Sequence, residues 1–136
     1  MTAVGDTGPA FSHGPVTRTD LVRYAGASGD FNPLHHDDEY ARASGLPGLM
    51  AHGMFSAGLL ASFVTRWFGP GSVRRFKVRF KEPVFPGDRL SAEGRVQRIH
   101  TTPLGERRAE LELRLLRQDG SPVIQGSAEV VLQANV

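Results

Sequence analysis

The chain has 136 residues, 40% of them apolar, with 16 basic against 14 acidic residues and no cysteine. One domain with a modest core suits that length, and the missing thiols exclude a disulfide framework and thiolate metal or redox chemistry. The basic residues are 14 arginines with Lys77 and Lys81, doubled only at Arg74-Arg75 and Arg107-Arg108, which fits a solvated sheet face better than a nucleic-acid-binding stripe.

The first residues, MTAVGDTGPAFSHG, lack a basic start followed by an apolar run. No signal peptide is expected, and a soluble cytoplasmic protein is the simplest outcome. Thr17-Arg18-Thr19-Asp20 then reads as a helix start, with Thr17 as N-cap and Asp20 in the favourable first turn. Leu21, Tyr24 and Ala25 follow at helical spacing, and Gly26 or Gly29 ends the element.

The next stretch, SGDFNPLHHDD at 28–38, is dense in ionisable groups. Pro33 disfavours helix at Asn32 and removes a backbone donor, so Asp30 to His35 is expected as a shaped loop that is neither helix nor strand. Loops of that composition are where chemistry is usually placed. The plain alternative is that Asp30 only caps the turn and His35 is a structural hydrogen-bonding residue. A metal site from His35, His36, Asp37 and Asp38 is disfavoured, because adjacent side chains on an extended segment point apart. After this loop, Asp37 or Asp38 can cap a short helix, DEYARAS, closed by Gly45, with Asp38 and Arg42 spaced to pair weakly.

Residues 53–68, GMFSAGLLASFVTRWF, are apolar nearly all round and are ended by Gly69-Pro70-Gly71. The segment is short for a membrane span, so a helix enclosed by the rest of the domain is expected, with no membrane partner. The remainder supplies the enclosure. Phe76, Val78 and Phe80 alternate with Lys77, Arg79 and Lys81; Leu90, Ala92, Gly94 and Val96 alternate with polar residues. So do Leu111, Leu113 and Leu115, then Ile124, Gly126, Ala128, Val130 and Leu132. Turn signals at Pro86-Gly87-Asp88, at TTPLG ending on Gly105, and at Asp119-Gly120 separate these strands. The expectation is a single α+β domain over 1–136: an antiparallel meander of four strands around one buried helix. Ala92, Gly94, Gly126 and Ala128 on its inner face would let the helix come close.

Three stretches together, Tyr24-Ala25-Gly26, Ser28 to His35 (SGDFNPLH) and Ala51-His52-Gly53-Met54, resemble the MaoC-like, or (R)-specific enoyl-CoA hydratase, family. PVFPGDRL at 83–90 is similar to that family's strand-turn segment, and the resemblance covers roughly residues 15–133. It implies the hot-dog fold, a sheet wrapped around a central helix. It also implies that Asp30 and His35 hold and activate one water for reversible syn addition across a trans-2-enoyl thioester. The product would be an (R)-3-hydroxyacyl thioester.

The chemistry agrees with what the resemblance implies. Water is a poor nucleophile, so the reaction needs a general base and acid and help for charge on the carbonyl oxygen. Imidazole ordinarily titrates near neutrality, which suits His35. Asp30 can hold the water and complement charge on the ring. Pro33 stiffens the loop and Asn32 can fix its shape. Gly53 stands where the buried helix begins, so its amide and that of Met54 could face the thioester carbonyl. His52 would brace the loop before the helix, with a supporting role at the site left open; His36 is expected as a neighbour only, and Tyr24 as core.

No metal or organic cofactor is expected. The substrate would be carried on coenzyme A or on an acyl carrier protein, which present the same pantetheine arm. Two other readings stand beside this one: a hot-dog thioesterase, and an acyl-binding subunit of a heterodimeric dehydratase. An open sheet edge predicts a dimer, either a homodimer or a heterodimer with a related subunit.

Overall fold

The computed structural model describes residues 1–133. Its elements are β1 (Ser12–His13), α1 (Arg18–Ser28), a 3₁₀ turn (Pro33–His35), α2 (Asp38–Ala43), α3 (Gly53–Phe68), β2 (Val73–Phe80), β3 (Leu90–Thr101), β4 (Arg107–Arg117) and β5 (Pro122–Val131).

Helix α1 begins where the sequence says it should. The Thr17 hydroxyl accepts from the Asp20 amide at 3.0 Å, and the Asp20 carboxylate accepts from the Thr17 amide at 2.9 Å. Two orphan amides of the first turn are satisfied by this reciprocal pair. Burial works against ionisation of Asp20, but hydrogen bonds from the Thr17 amide and from His13 outweigh it and hold the carboxyl below its ordinary 3.8. A carboxylate lowered in the folded state lends stability above its unfolded value and loses it as pH falls through the folded one. Thr17→Ala is therefore expected to cost about 1 kcal/mol in urea melts near neutrality. The deficit of Asp20→Asn should shrink as the pH falls below 3.8, and a deficit constant across that range would contradict the capping role.

The sheet is antiparallel throughout, in the order β1-β3-β4-β5-β2. Only β3, β4 and β5 form a meander. Strand β2 does not neighbour β3 as the chain order suggested; it pairs with β5, Phe76 opposite Ala128 and Phe80 opposite Ile124. Residues 81–89 carry the chain across to β3, and they pin other segments as they go. Ala51 donates to the Val84 carbonyl at 2.8 Å and Val16 to that of Asp88 at 2.8 Å. Alternation in a sequence names a strand and its buried face but is silent about its neighbour.

The other correction at the edges concerns the N-terminus. The two-residue β1 pairs with β3, and Gly5 and Gly8 donate to the Val96 and Gly94 carbonyls. Residues 5–13 thus cover the β3 edge, while the outer edge of β2 takes no partner among the described residues.

Helix α3 lies across the inner face. Ser56, Ala57, Leu60, Phe63 and Val64 are buried against Leu111, Leu113, Leu115, Ile124 and Val130 of the sheet. Full enclosure was expected, yet Met54, Gly58, Ser62 and Arg66, four residues apart, remain exposed. Two glycines of the inner face serve different neighbours. A Cβ on Gly94 would come within 2.8 Å of the Phe63 ring, so the helix demands that glycine. A Cβ on Gly126 would stand 2.6 Å from the Lys77 carbonyl oxygen, so there the demand comes from strand β2 and not from α3.

The outer face carries the charges, mostly as cross-strand pairs. Glu93 meets Arg114 at 2.6 Å, and Arg108 joins Glu129 at 3.0 Å and Glu106 at 2.7 Å. The Arg74 and Arg108 guanidiniums hold the Glu106 carboxyl below its ordinary range. Exposed pairs of this kind contribute little each. They match Arg74, Arg98, Arg108 and Arg114 to acids on the same face, which does not favour an array aligned for phosphates. Asp38 likewise pairs with Arg18 of α1 at 2.8 Å, not with Arg42 as the spacing allowed. No helix among the described residues is long and apolar enough to cross a membrane.

Candidate active site

Short polar side chains shape the segment between α1 and α2 by bonding the backbone just ahead of them. Gly29 ends α1 in the left-handed region at φ 74°, a conformation that glycine adopts without strain. The Ser28 hydroxyl accepts from the Asp30 amide, Asp30 Oδ1 accepts from the Asn32 amide at 3.2 Å, and Asn32 Oδ1 accepts from the Leu34 amide at 3.0 Å. Pro33 then opens one 3₁₀ turn, where its missing N–H costs nothing. The loop expected here is in part a turn of helix, because the proline bars helix only before itself.

That turn delivers His35 inward, 7% exposed, while Asp30 stays at the surface. Asp30 Oδ2 and His35 Nε2 are 3.8 Å apart. His35 Nδ1 lies against the carbonyl oxygen of Met50. A carbonyl only accepts, so Nδ1 carries the hydrogen and the lone pair of the neutral ring sits on Nε2, facing Asp30. Asp30 Oδ1 thus caps the turn, while Oδ2 faces the imidazole.

His52 backs this pair. Its ring stacks on that of His35 with centroids 3.7 Å apart and planes 22° off parallel. Its Nε2 donates to the backbone carbonyl of Asp30 at 3.1 Å, and Tyr24 meets its ring edge-on at 4.8 Å. His52 is 2% exposed and its Nδ1 has no partner among the described residues. Met50 also donates its amide to the Leu34 carbonyl at 3.1 Å. The loop and the segment before α3 are therefore stitched in both directions.

His52 is also the residue preceding α3, which starts at Gly53. The first amides of a helix have no acceptor within it, so those of Gly53 and Met54 are free to meet an oxygen from outside. Beside them opens a cavity of about 240 Å³ lined by Met50, Gly53, Ser56, Phe80, Val84 and Val123 among others. A larger open depression of about 710 Å³ lies at the other end of α3, by Trp67, Phe68 and Leu132. It holds none of the residues gathered here; the smaller one meets the site through Met50 and Gly53, with Asp30 and His35 outside its lining.

Asp30, Asn32, Pro33 and His35 thus share one neighbourhood, which His52 joins to Gly53 and Met54 at the start of α3. His36 turns away to the Phe31 carbonyl at 3.1 Å. Asp30, His35 and His52 each place a ligand-type atom within 4.8 Å of the others. Near-parallel rings suit a shared ion poorly, since an ion about 2.1 Å from a nitrogen of each would lie well off both lone-pair axes. Sequence reasoning left two partners unassigned: the Met50 carbonyl, which no residue type marks, and the stack of His52 on His35. Only a histidine directly before a helix starting with glycine hinted at the second.

Comparison with known proteins points to one family. Residues 3–111 match the family described as MaoC like domain. The chain is 32% identical over 121 residues to an (R)-specific enoyl-CoA hydratase of Rhodospirillum rubrum, covering 88% of this chain and 81% of that protein. It is 32% identical over 119 residues to a mitochondrial 3-hydroxyacyl-[acyl-carrier-protein] dehydratase of Solanum lycopersicum, covering 86% and 70%. Among solved structures, the unliganded R-hydratase PhaJ1 of Pseudomonas aeruginosa superposes with a TM-score of 0.86 at 30% identity, covering 98% and 84%. In larger peroxisomal multifunctional relatives the chain spans only 9% of their length. The hot-dog sheet and helix, the Asp30–His35 pair and these matches lead to one assignment: the chain belongs to the MaoC-like dehydratase family, together with the (R)-specific enoyl-CoA hydratases.

Proposed function

We propose that this protein is a hydro-lyase that adds water reversibly across the double bond of a trans-2-enoyl thioester, and in reverse dehydrates an (R)-3-hydroxyacyl thioester. The observation that carries the reading is the 3.8 Å gap between Asp30 Oδ2 and a His35 Nε2 whose ring is fixed from behind. The gap is too long for a direct hydrogen bond and suits a shared water. A water oxygen about 2.8 Å from each atom would subtend roughly 85° between them, about 20° narrower than the angle between its own hydrogens and within the bending that hydrogen bonds tolerate.

In the hydration direction, His35 Nε2 takes one proton of that water as its oxygen bonds to C3. The electron pair of the C2=C3 bond moves toward the thioester carbonyl, and the amides of Gly53 and Met54 stabilise the resulting enolate oxygen. The proton is then delivered to C2 on the same face. Asp30 orients the water and complements the positive charge that His35 carries in between. The acyl chain has the cavity below Phe80 and Val84 to enter. No metal or organic cofactor has a step in this scheme.

Coenzyme A and acyl carrier protein offer the same pantetheine arm, and both carriers remain within the proposal. A cytoplasmic location belongs to it as well, on the sequence alone. Loss of the enoyl-thioester absorbance with crotonyl-CoA, in EDTA-treated buffer, is the expected result. Release of free thiol without hydration would instead make the protein a thioesterase.

The open edge of β2 and the exposed stripe of α3 support a dimer in which two sheets join side by side, with a homodimer favoured over a heterodimer. Of Arg74, Arg75, Lys77 and Arg79 on β2, the last three are then available to the partner's tunnel mouth, where an adenosine phosphate or an acidic carrier would lie, while Arg74 is held by Glu106. Sedimentation equilibrium at assay concentration should give twice 14.8 kDa. A fully active monomer would rule out a shared channel.

A further inference from the structure

We propose that His52 is a positioning residue for this reaction, acting through Asp30 and His35. The inference rests on the hydration reading above. Two imidazole-to-carbonyl bonds cross between the same two segments in opposite directions. His35, from the loop, bonds the Met50 carbonyl; His52, two residues after Met50, bonds the Asp30 carbonyl at 3.1 Å. Because each carbonyl requires a donor, the stacked rings hold opposite tautomers: His35 has its hydrogen on Nδ1 and His52 on Nε2.

The consequence is geometric. The Asp30 carboxylate is exposed, and among the described residues its one hydrogen bond is from the Asn32 amide to Oδ1 at 3.2 Å. Its backbone is what sets the distance to His35, and that backbone is held from the far side by His52. The His52 ring cannot drift, since His35 covers one face at 3.7 Å and Tyr24 abuts it at 4.8 Å. As the residue preceding α3, His52 further ties the water-holding pair to the helix end whose amides meet the carbonyl. A core histidine needed only for packing would not require an Nε2–H directed at the backbone of Asp30.

His52→Phe keeps a flat ring against His35 but has no N–H for the Asp30 carbonyl. His52→Gln discards the ring yet can place an amide N–H near the original Nε2. With crotonyl-CoA, H52F is expected to lose about 10²-fold in kcat with KM little changed, since a displacement on the order of 1 Å costs that much. H52Q should recover most of the loss. His52→Leu serves in place of H52F should the latter not fold. Full kcat in folded H52F, or equal losses in H52F and H52Q that follow only the fraction folded, would overturn the proposal.

A second readout needs no substrate. Long-range ¹H–¹⁵N spectra of the imidazoles should show His35 protonated at Nδ1 and His52 at Nε2. The reverse pattern would overturn the crossed pair even in a fully active enzyme. If the wild-type protein fails to hydrate any enoyl thioester, the hydration reading falls. The tautomers then still decide whether the clamp exists.

Discussion

His35→Ala is expected to lower kcat/KM for crotonyl-CoA by about 10²–10⁴, the usual contribution of a positioned general acid or base. The ring is nearly buried, so the variant leaves a small gap and an unbonded Met50 carbonyl. Some stability is lost too, and activity must be corrected for the fraction folded. Asp30→Asn separates the two duties of the aspartate more cleanly. A carboxamide oxygen can still accept from the Asn32 amide, so the turn survives, while the negative charge facing Nε2 is gone. If Asp30 only capped the turn, D30N would keep its rate. We expect a loss in the same range of about 10²–10⁴ with an unchanged melting temperature. Near-wild-type turnover in either folded variant would remove that residue from the mechanism.

Phe63→Ala is expected to have the largest effect on stability, about 3–5 kcal/mol in urea unfolding. That is a large share of the ~5–15 kcal/mol that holds a typical domain together. Phe63 is fully buried, meets Phe11 edge-on at 5.9 Å and packs on Trp67 at 5.7 Å. Its ring also fills the space that glycines leave, since a Cβ on Gly94 or Gly8 would come within 2.8 Å or 2.3 Å of it. The same contact predicts coupling. Gly94→Ala alone should destabilise by overpacking, about 1–3 kcal/mol, and by less once Phe63 is Ala, although the Trp67 ring at 2.9 Å still opposes the added Cβ. Additive losses would mean that Phe63 is not the side chain that demands a glycine at position 94. Loss of under ~1 kcal/mol in F63A would mean that the helix is anchored elsewhere.

Much of this protein is legible in its sequence because the relevant forces are local. Thr17 and Asp20 cap α1 through atoms three residues apart, Gly53 and Gly69 bracket α3, and alternation marks strands β2 to β5. Each depends on geometry within one or two turns of backbone, and the residues themselves carry the signal. The turn through Asp30, Asn32 and Pro33 is equally local, because the Asp30 and Asn32 side chains each serve the backbone two residues on.

Tertiary structure decided what depends on partners distant in the chain. The pairing of β2 with β5 rather than β3, and the covering of the β3 edge by residues 5–13, follow from how the chain crosses the sheet. No periodicity encodes that choice. Asp38 chose Arg18, twenty residues away, over Arg42 on its own helix. Gly126 answers to the Lys77 carbonyl, a neighbour that exists only once β2 has docked. The stacking of His52 on His35 and the tautomers of both rings belong here as well. They are set by the carbonyls of Met50 and Asp30, and a backbone carbonyl is the same group at every position until the fold selects which one a side chain can reach.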